Sequence, residues 1–187
     1  MCGRYNFSQE ESDEIRKIVR EVERRQRGEF KMGEIYPTNG APGLAAGDDR
    51  PVPELLAWGF PRFDKKGVVI NARAETAPDK PMLRKCLEQC RGVIPATGVY
   101  EWAADKTKYR FRLPGEDALY MAGLYNEFAG EPRYVILTTA ANESIADVHN
   151  RRPVVLPRAR IAEWIGGLGA AMEILRAVPP MLERTAS

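Results

Sequence analysis

The sequence predicts an α+β fold, and three observations carry that reading. Strand-like runs crowd the middle of the chain. Helix-like runs sit at its ends and between the strands. The two do not alternate in the regular manner that would give βαβ winding. At 187 residues the chain fits a single compact domain over 1–187. A 44% hydrophobic share supplies a core, and 29% charged residues suit an ordinary globular surface.

Ser8 followed by Glu11 has the spacing of a capping box. Ile15, Ile18, Val19 and Val22 then recur at helical spacing. An amphipathic helix is therefore predicted from Ser8 to about Gln26, with its many charges on a solvated face. The stretch YPTNGAPGLAAGDD (36–49) is rich in Gly, Pro and Asn and reads as a structured loop. Strands are predicted in ELLAWGF, GVVINARAE, GVIPATGVYEWA, KYRFRL, ALYMAGLYNEF and RYVILTTAA. A helix from about Lys80 to Gln89 interrupts them, with Cys86 and Cys90 four residues apart within or beside it. Two short helices follow, at Arg158 to Ile165 and Ala170 to Val178. No internal repeat or low-complexity tract is visible.

The charge balance is 28 basic against 26 acidic side chains, a net of +2. That balance does not announce nucleic-acid binding, so any basic surface must come from local placement. Three cysteines, an odd count without a secretory signal, point to a reducing compartment and a cytoplasmic protein. No apolar run approaches the ~20 residues that span a bilayer. Cys86 and Cys90 lack CxxC spacing and the chain has one histidine, so no metal site is expected. NGAPG lacks the pattern of a phosphate loop, and no cofactor is expected. Without a coiled coil or a long exposed apolar stretch, the expected state is a monomer.

The reactive candidates begin at MCGRYNFS. Cys2 is small enough for an aminopeptidase to remove Met1. The new terminus would carry an amine and a thiol on adjacent carbons, a reagent that closes on aldehydes as a thiazolidine. His149, in ADVHNRRPVVL, is the single histidine, so any Cys–His chemistry must use it. It lies in a polar stretch between strands, where reactive side chains are commonly held, though a structural histidine fits as well. Glu101 lies inside the apolar, aromatic run GVYEW. In a pocket, desolvation would raise its pKa and make it an acid near neutral pH; strand alternation could instead turn it outward beside Tyr100 and Trp102. Asn71 heads NARAET after VVI, placed to orient a carbonyl or phosphate, or to make an ordinary turn bond.

MCGR, Trp58–Gly59, INARAET (70–76), GVYEW (98–102) and HNRRPVVL (149–156) occur in this order. Together they resemble the motifs of the SOS response-associated peptidase (SRAP) family. The resemblance runs from Met1 to about Trp164, followed by a short tail. It implies a curved, barrel-like, mainly antiparallel sheet flanked by helices, with a positively charged DNA channel. SRAP proteins recognise abasic sites in single-stranded DNA and cross-link to them, shielding the lesion during the DNA damage response. The family's name adds a peptidase, a hydrolase-class activity, and the Schiff-base chemistry is lyase-like.

By this resemblance Cys2 attacks the ring-opened sugar aldehyde with its amine and closes the thiazolidine with its thiol. Asn71 holds the cysteine and the sugar, Glu101 is the acid/base, and His149 assists Schiff-base chemistry and reversal. Arg4, Arg73 and Arg151 are the implied phosphate contacts, which fix position and read no sequence. Trp58, Trp102 and Pro42 are implied wedges or stacking platforms, with core packing the alternative for each tryptophan. Thr138 or Thr139 is implied to touch the DNA backbone. The partner is abasic single-stranded DNA, with nucleoid association when bound. Two features depart from the family pattern. Pro81, with Lys80 and Arg84 nearby, stands where an arginine is frequent, and the longer Asn-rich C-terminal segment of many members is missing. Three rivals remain: a thiol hydrolase using Cys2 and His149, a non-covalent single-stranded DNA-binding module with salt-sensitive affinity, and a structural domain in which Cys2 is a coincidence.

Overall fold

The computed structural model describes residues 2–25, 28–48, 50–64 and 66–187. Strand β1 (Tyr5–Phe7) leads into helix α1 (Asp13–Arg25), which buries Ile15, Val19 and Val22. The helix starts one turn later than the capping-box spacing predicts. The Ser12 hydroxyl accepts the Ile15 amide at 3.2 Å, whereas Ser8 donates to Glu10. Glu11 is drawn away to Asn6, Arg110 and Arg112 and so caps nothing. The predicted end at Gln26 lies outside the described residues, as does Asp49 at the end of the predicted loop.

The next strands are β2 (Gly33–Ile35), β3 (Gly40–Ala45), β4 (Val52–Trp58), β5 (Phe60–Pro61), β6 (Val68–Val69) and β7 (Asn71–Arg73). Helix α2 (Pro81–Gln89) follows, with Pro81 in its first turn, where a missing N–H costs nothing. Then come β8 (Arg91–Ala96), β9 (Gly98–Trp102), β10 (Lys108–Arg112), β11 (Leu119–Phe128) and β12 (Glu131–Ala140). The chain ends with β13 (Arg151–Pro153), β14 (Val155–Leu156), α3 (Ile161–Gly166), α4 (Leu168–Arg176) and β15 (Glu183–Ala186). The predicted helix at Arg158 opens as a 3-10 turn over Arg158–Arg160 before becoming α3.

Strands β4, β3, β8, β11 and β12 pair in that order, and β12 returns to β4. The ring closes a five-stranded barrel in which only the β12–β4 pairing is parallel. This is the expected curved, mainly antiparallel sheet, with helices outside it. The reading of 36–49 as loop needs correction: β3 lies within it. Pairing with β4 overrides the Gly and Pro composition, and the close approach favours small residues. A Cβ at Gly43 would lie 2.8 Å from the Leu56 side chain.

A second, antiparallel sheet runs β15-β10-β9-β1-β2. The two sheets meet over a shared core containing Cys2, Tyr5, Trp58 and Tyr134. Gly59 turns the chain out of the barrel at φ +113°, and a Cβ there would meet Val68 at 2.6 Å. The Trp58–Gly59 motif is thus a buried anchor followed by a turn only glycine can make. Among the described residues, no helix is long and apolar enough to cross a membrane.

Candidate active site

Cys2 precedes β1 and is fully buried at the junction of the two sheets. Its carbonyl oxygen accepts the Asn71 side-chain amide at 2.8 Å. Asn71 opens β7, which lies parallel to β12 with Asn71 opposite Ile136. The barrel wall therefore fixes the amide that holds the cysteine. Asn71 Oδ1 is buried and has no hydrogen-bond partner among the described residues, leaving an acceptor beside Cys2. The Cys2 thiol lies 3.9 Å from the Arg4 carbonyl oxygen. Burial, and then the negative charge of Glu101, push that thiol up to about 12, so it is a neutral thiol and not a thiolate.

Strand alternation settles which way GVYEW faces. Val99 and Glu101 turn inward, while Tyr100 and Trp102 lie opposite Arg110 and Lys108 on the other face. Glu101 is only 4% exposed. Burial raises its pKa, with positive charge at the chain's amino terminus and at His149 opposing the shift. The result is a carboxyl group poised to carry a proton above the usual carboxylate range.

His149 is half-buried, and its amide closes a turn on the Ile145 carbonyl at 2.9 Å. Nδ1 accepts the Arg151 amide at 3.0 Å, which places the proton of the neutral ring on Nε2. His149 is close enough for its charge to act on Glu101. Cys2, Asn71, Glu101 and His149 thus come together from four separate segments.

The three arginines implied by the resemblance have different settings. Arg151 grips Glu75 with two bonds of 2.9 and 2.8 Å and donates to the Thr138 carbonyl at 2.6 Å. That pairing holds the Glu75 carboxyl well below its usual range, at about 2. Arg73 is exposed, and its guanidinium has no hydrogen bond or ion pair among the described residues. Arg4 donates to Glu34 at 3.1 Å and lies between two rings, 4.2 Å from the centre of Tyr36 and 4.8 Å from Trp102.

Three of the implied DNA contacts are not surface groups. Trp58 is fully buried, stacked 6.1 Å from Tyr134, and donates from Nε1 to the Ile70 carbonyl at 3.0 Å. Pro42 is buried within β3. Thr138 is fully buried, its hydroxyl 3.4 Å from the Ala72 carbonyl and 3.2 Å from Arg151. It supports Arg151, while the half-buried Thr139 binds Glu75. Of the stacking candidates only Trp102, 37% exposed, offers a ring to solvent. Sequence reasoning missed Tyr36, Glu34 and Lys108, which surround Arg4. The exposed aromatic in YPTN beside an arginine was the available signal. Cys86 and Cys90 are free thiols on and after α2. Among the described residues, no group of three or more His, Cys, Asp or Glu could hold a metal.

Fold and site define a class: a small α+β barrel protein that buries a cysteine next to its start against an asparagine amide and near a desolvated carboxyl, with a histidine close enough for its charge to act on that carboxyl. The chain belongs to the SOS response associated peptidase (SRAP) family, which it matches over residues 1–184. It is 36% identical over 185 residues to the abasic site processing protein YoqW of Bacillus subtilis, covering 88% of this chain and 80% of that protein. It is 34% identical over 198 residues to YoaM of the same organism, covering 95% and 85%. It is 30% identical over 179 residues to YedK of Escherichia coli, covering 88% and 79%. Those relatives, too, are named abasic site processing proteins. Two solved structures share the fold. One is a Bacteroides thetaiotaomicron protein at 21% identity and TM-score 0.79, covering 99% of this chain and 91% of that one. The other is a Bordetella bronchiseptica protein at 23% and 0.79, covering 100% and 99%.

Proposed function

We propose that this protein recognises abasic sites in single-stranded DNA and traps them as a thiazolidine through Cys2, once Met1 has been removed. Hydrolysis of the Met1–Cys2 bond would free the amine; an aminopeptidase is enough for this, and the word peptidase in the family's description also fits it. The observation that carries the reading is the 2.8 Å bond from Asn71 to the Cys2 carbonyl, next to the buried Glu101. A residue held for its backbone presents its terminal amine in a fixed place.

The neutral Cys2 amine adds to the aldehyde carbon of the ring-opened sugar. An α-amine titrates near ~7.7–8.0, so a useful fraction is neutral at physiological pH. Glu101, protonated, gives its proton to the departing oxygen, water leaves, and the resulting iminium nitrogen returns a proton to the Glu101 carboxylate to give the imine. The thiol then adds across the C=N bond, its sulfur to carbon and its proton to nitrogen. One C–N and one C–S bond form, and one water is lost. Because the thiol adds in its neutral form, the burial that raises Cys2 does not obstruct this step. His149, with its proton on Nε2, assists proton movement in imine formation and reversal. Arg4, Arg73 and Arg151 hold the neighbouring phosphates, and Trp102 stacks on a flanking base.

The thiol hydrolase reading fits less well. It needs the Cys2 sulfur activated by His149, whereas the sulfur meets the Arg4 carbonyl. The names of the relatives favour a DNA lesion as substrate. A denaturing gel tests the proposal: Met1-free protein, a single strand with one abasic site, an intact strand and a Cys2→Ala control. A heat-resistant band only with the wild type and abasic DNA is the expected result. Its absence, with the N-terminus verified free, would sink the covalent reading.

A further inference from the structure

We propose that the outer face of the β15-β10-β9-β1-β2 sheet is a tracking surface for the single strand that flanks the lesion, with phosphates running along β10. The inference rests on the function proposed above and extends it from the lesion to the neighbouring DNA. It starts from alternation. Lys108, Arg110 and Arg112 leave β10 on one face, and Phe111 is buried on the other. A rise of about 3.4 Å per residue puts alternate side chains roughly 7 Å apart. That spacing is comparable to the separation of successive phosphates in an extended strand.

The rings on this face match the cations. Lys108 Nζ lies 4.0 Å from the centre of Tyr100, and Arg110 lies 6.0 Å from it. Arg4 is sandwiched between Tyr36 and Trp102, which are 40% and 37% exposed. The stripe is continuous with the site, because Arg4 is two residues from Cys2 and Trp102 adjoins Glu101. Tyr100 is buried and only backs the cations, whereas the exposed rings of Tyr36 and Trp102 accept any base and the cations accept the backbone, the combination that holds single strands without reading sequence.

Two carboxylates keep the cations in place. Glu34 binds both Arg4 and Lys108. Glu11 binds both Arg110, at 2.5 Å, and Arg112, at 2.6 Å. One carboxylate shared by two cations leaves the Arg4–Lys108 set net positive, while Glu183, opposite Arg112 on β15, brings the Arg110–Arg112 set to neutrality. The pairs are half-buried, and Arg112, with its side chain 40% exposed, is the cation most open to a phosphate. The same carboxylates repel the strand and keep undamaged DNA loosely held, while a lesion is retained by its covalent bond. This placement also explains how a chain with a net charge of only +2 can bind a polyanion.

The test is fluorescence anisotropy with undamaged oligothymidine, short and several times longer, across a salt series. Wild-type affinity should rise with strand length. Lys108→Gln/Arg112→Gln should lower the log–log salt slope by roughly 1.4, about 0.7 for each lost phosphate contact, and should remove most of the gain with length. The charge-keeping pair Lys108→Arg/Arg112→Lys should restore the slope, which a purely structural role would not predict. Glu34→Gln should bind several-fold tighter. A Gln pair that keeps the wild-type slope and length dependence overturns the proposal, as does a polyglutamate peptide that binds as tightly as the oligonucleotide. Wild-type protein that cross-links abasic DNA yet shows no length dependence overturns this surface alone. Length-dependent binding without any cross-link overturns the covalent trap and leaves the surface standing.

Discussion

The Asn71 side-chain amide donates to the Cys2 carbonyl oxygen at 2.8 Å across 69 residues of sequence. The bond ties the start of the chain to a strand paired with the barrel wall, so Cys2 is positioned by the sheet. Asn71→Ala should therefore slow cross-linking more than it weakens DNA binding. A misplacement of about 1 Å can cost on the order of 10²-fold in rate. The lost bond itself should cost roughly 1 kcal/mol of stability. Single-turnover cross-linking at saturating DNA measures the first, and urea denaturation the second. Equal losses in binding and rate would count against a positioning role.

Glu101 supplies a pH signature. Burial raises its folded pKa above the unfolded value. The folded state then binds a proton that the unfolded state has released, so this group favours folding below its unfolded pKa and loses that contribution as pH rises through the folded pKa. Glu101→Gln should remove that loss, and the variant should gain melting temperature relative to wild type on the alkaline side of the transition. The same substitution should slow cross-linking and flatten the alkaline fall in rate that arises from losing the acid. A rate profile unchanged in Glu101→Gln would assign the proton to another group, His149 first.

What the sequence revealed and what it hid differ by length scale. The long strands β11 and β12 and helix α2 carry enough residues for a periodic pattern. Strands β1 and β2 have three residues each, too few to show alternation. Strand β3 was hidden by Gly and Pro, because its pairing is imposed by β4 and not by local preference. At the site, motif order identified Cys2, Asn71, Glu101 and His149 as candidates, but no local pattern shows that Asn71 reaches Cys2. Nor could GVYEW say which face was inward until β10 was placed against it. Trp58 and Trp102 look alike in sequence, and only the barrel separates the buried ring from the exposed one.

That separation is testable. Trp58 is enclosed with Tyr5 and Tyr134 and makes an indole bond to Ile70. Trp58→Ala should cost ~3–5 kcal/mol, a loss of stability that chemical denaturation would register directly. Trp102→Ala should leave the melting temperature nearly unchanged and weaken single-strand binding by roughly 1–3 kcal/mol, the usual contribution of one stacked base. If Trp102→Ala bound DNA normally, the exposed ring would have no stacking role.

Cys2 divides into two reagents, and they can be removed one at a time. Cys2→Ala keeps the terminal amine and loses the thiol. It should still form an imine with an abasic strand, visible as a band after borohydride reduction and absent without it. The stable, heat-resistant product should disappear, since no sulfur is available to close the ring. Acetylating the freed Cys2 amine does the opposite: the thiol remains, buried and neutral, and neither product should form. A thiol nucleophile working through His149 would give the reverse order, surviving amine acetylation and failing in Cys2→Ala with or without borohydride. The comparison is made on one denaturing gel with mass spectrometry of the excised bands. Loss of one water on joining protein to DNA shows condensation through the amine, and survival of heat without borohydride separates the thiazolidine from its isomeric imine; retention of the mass of both partners would exclude both.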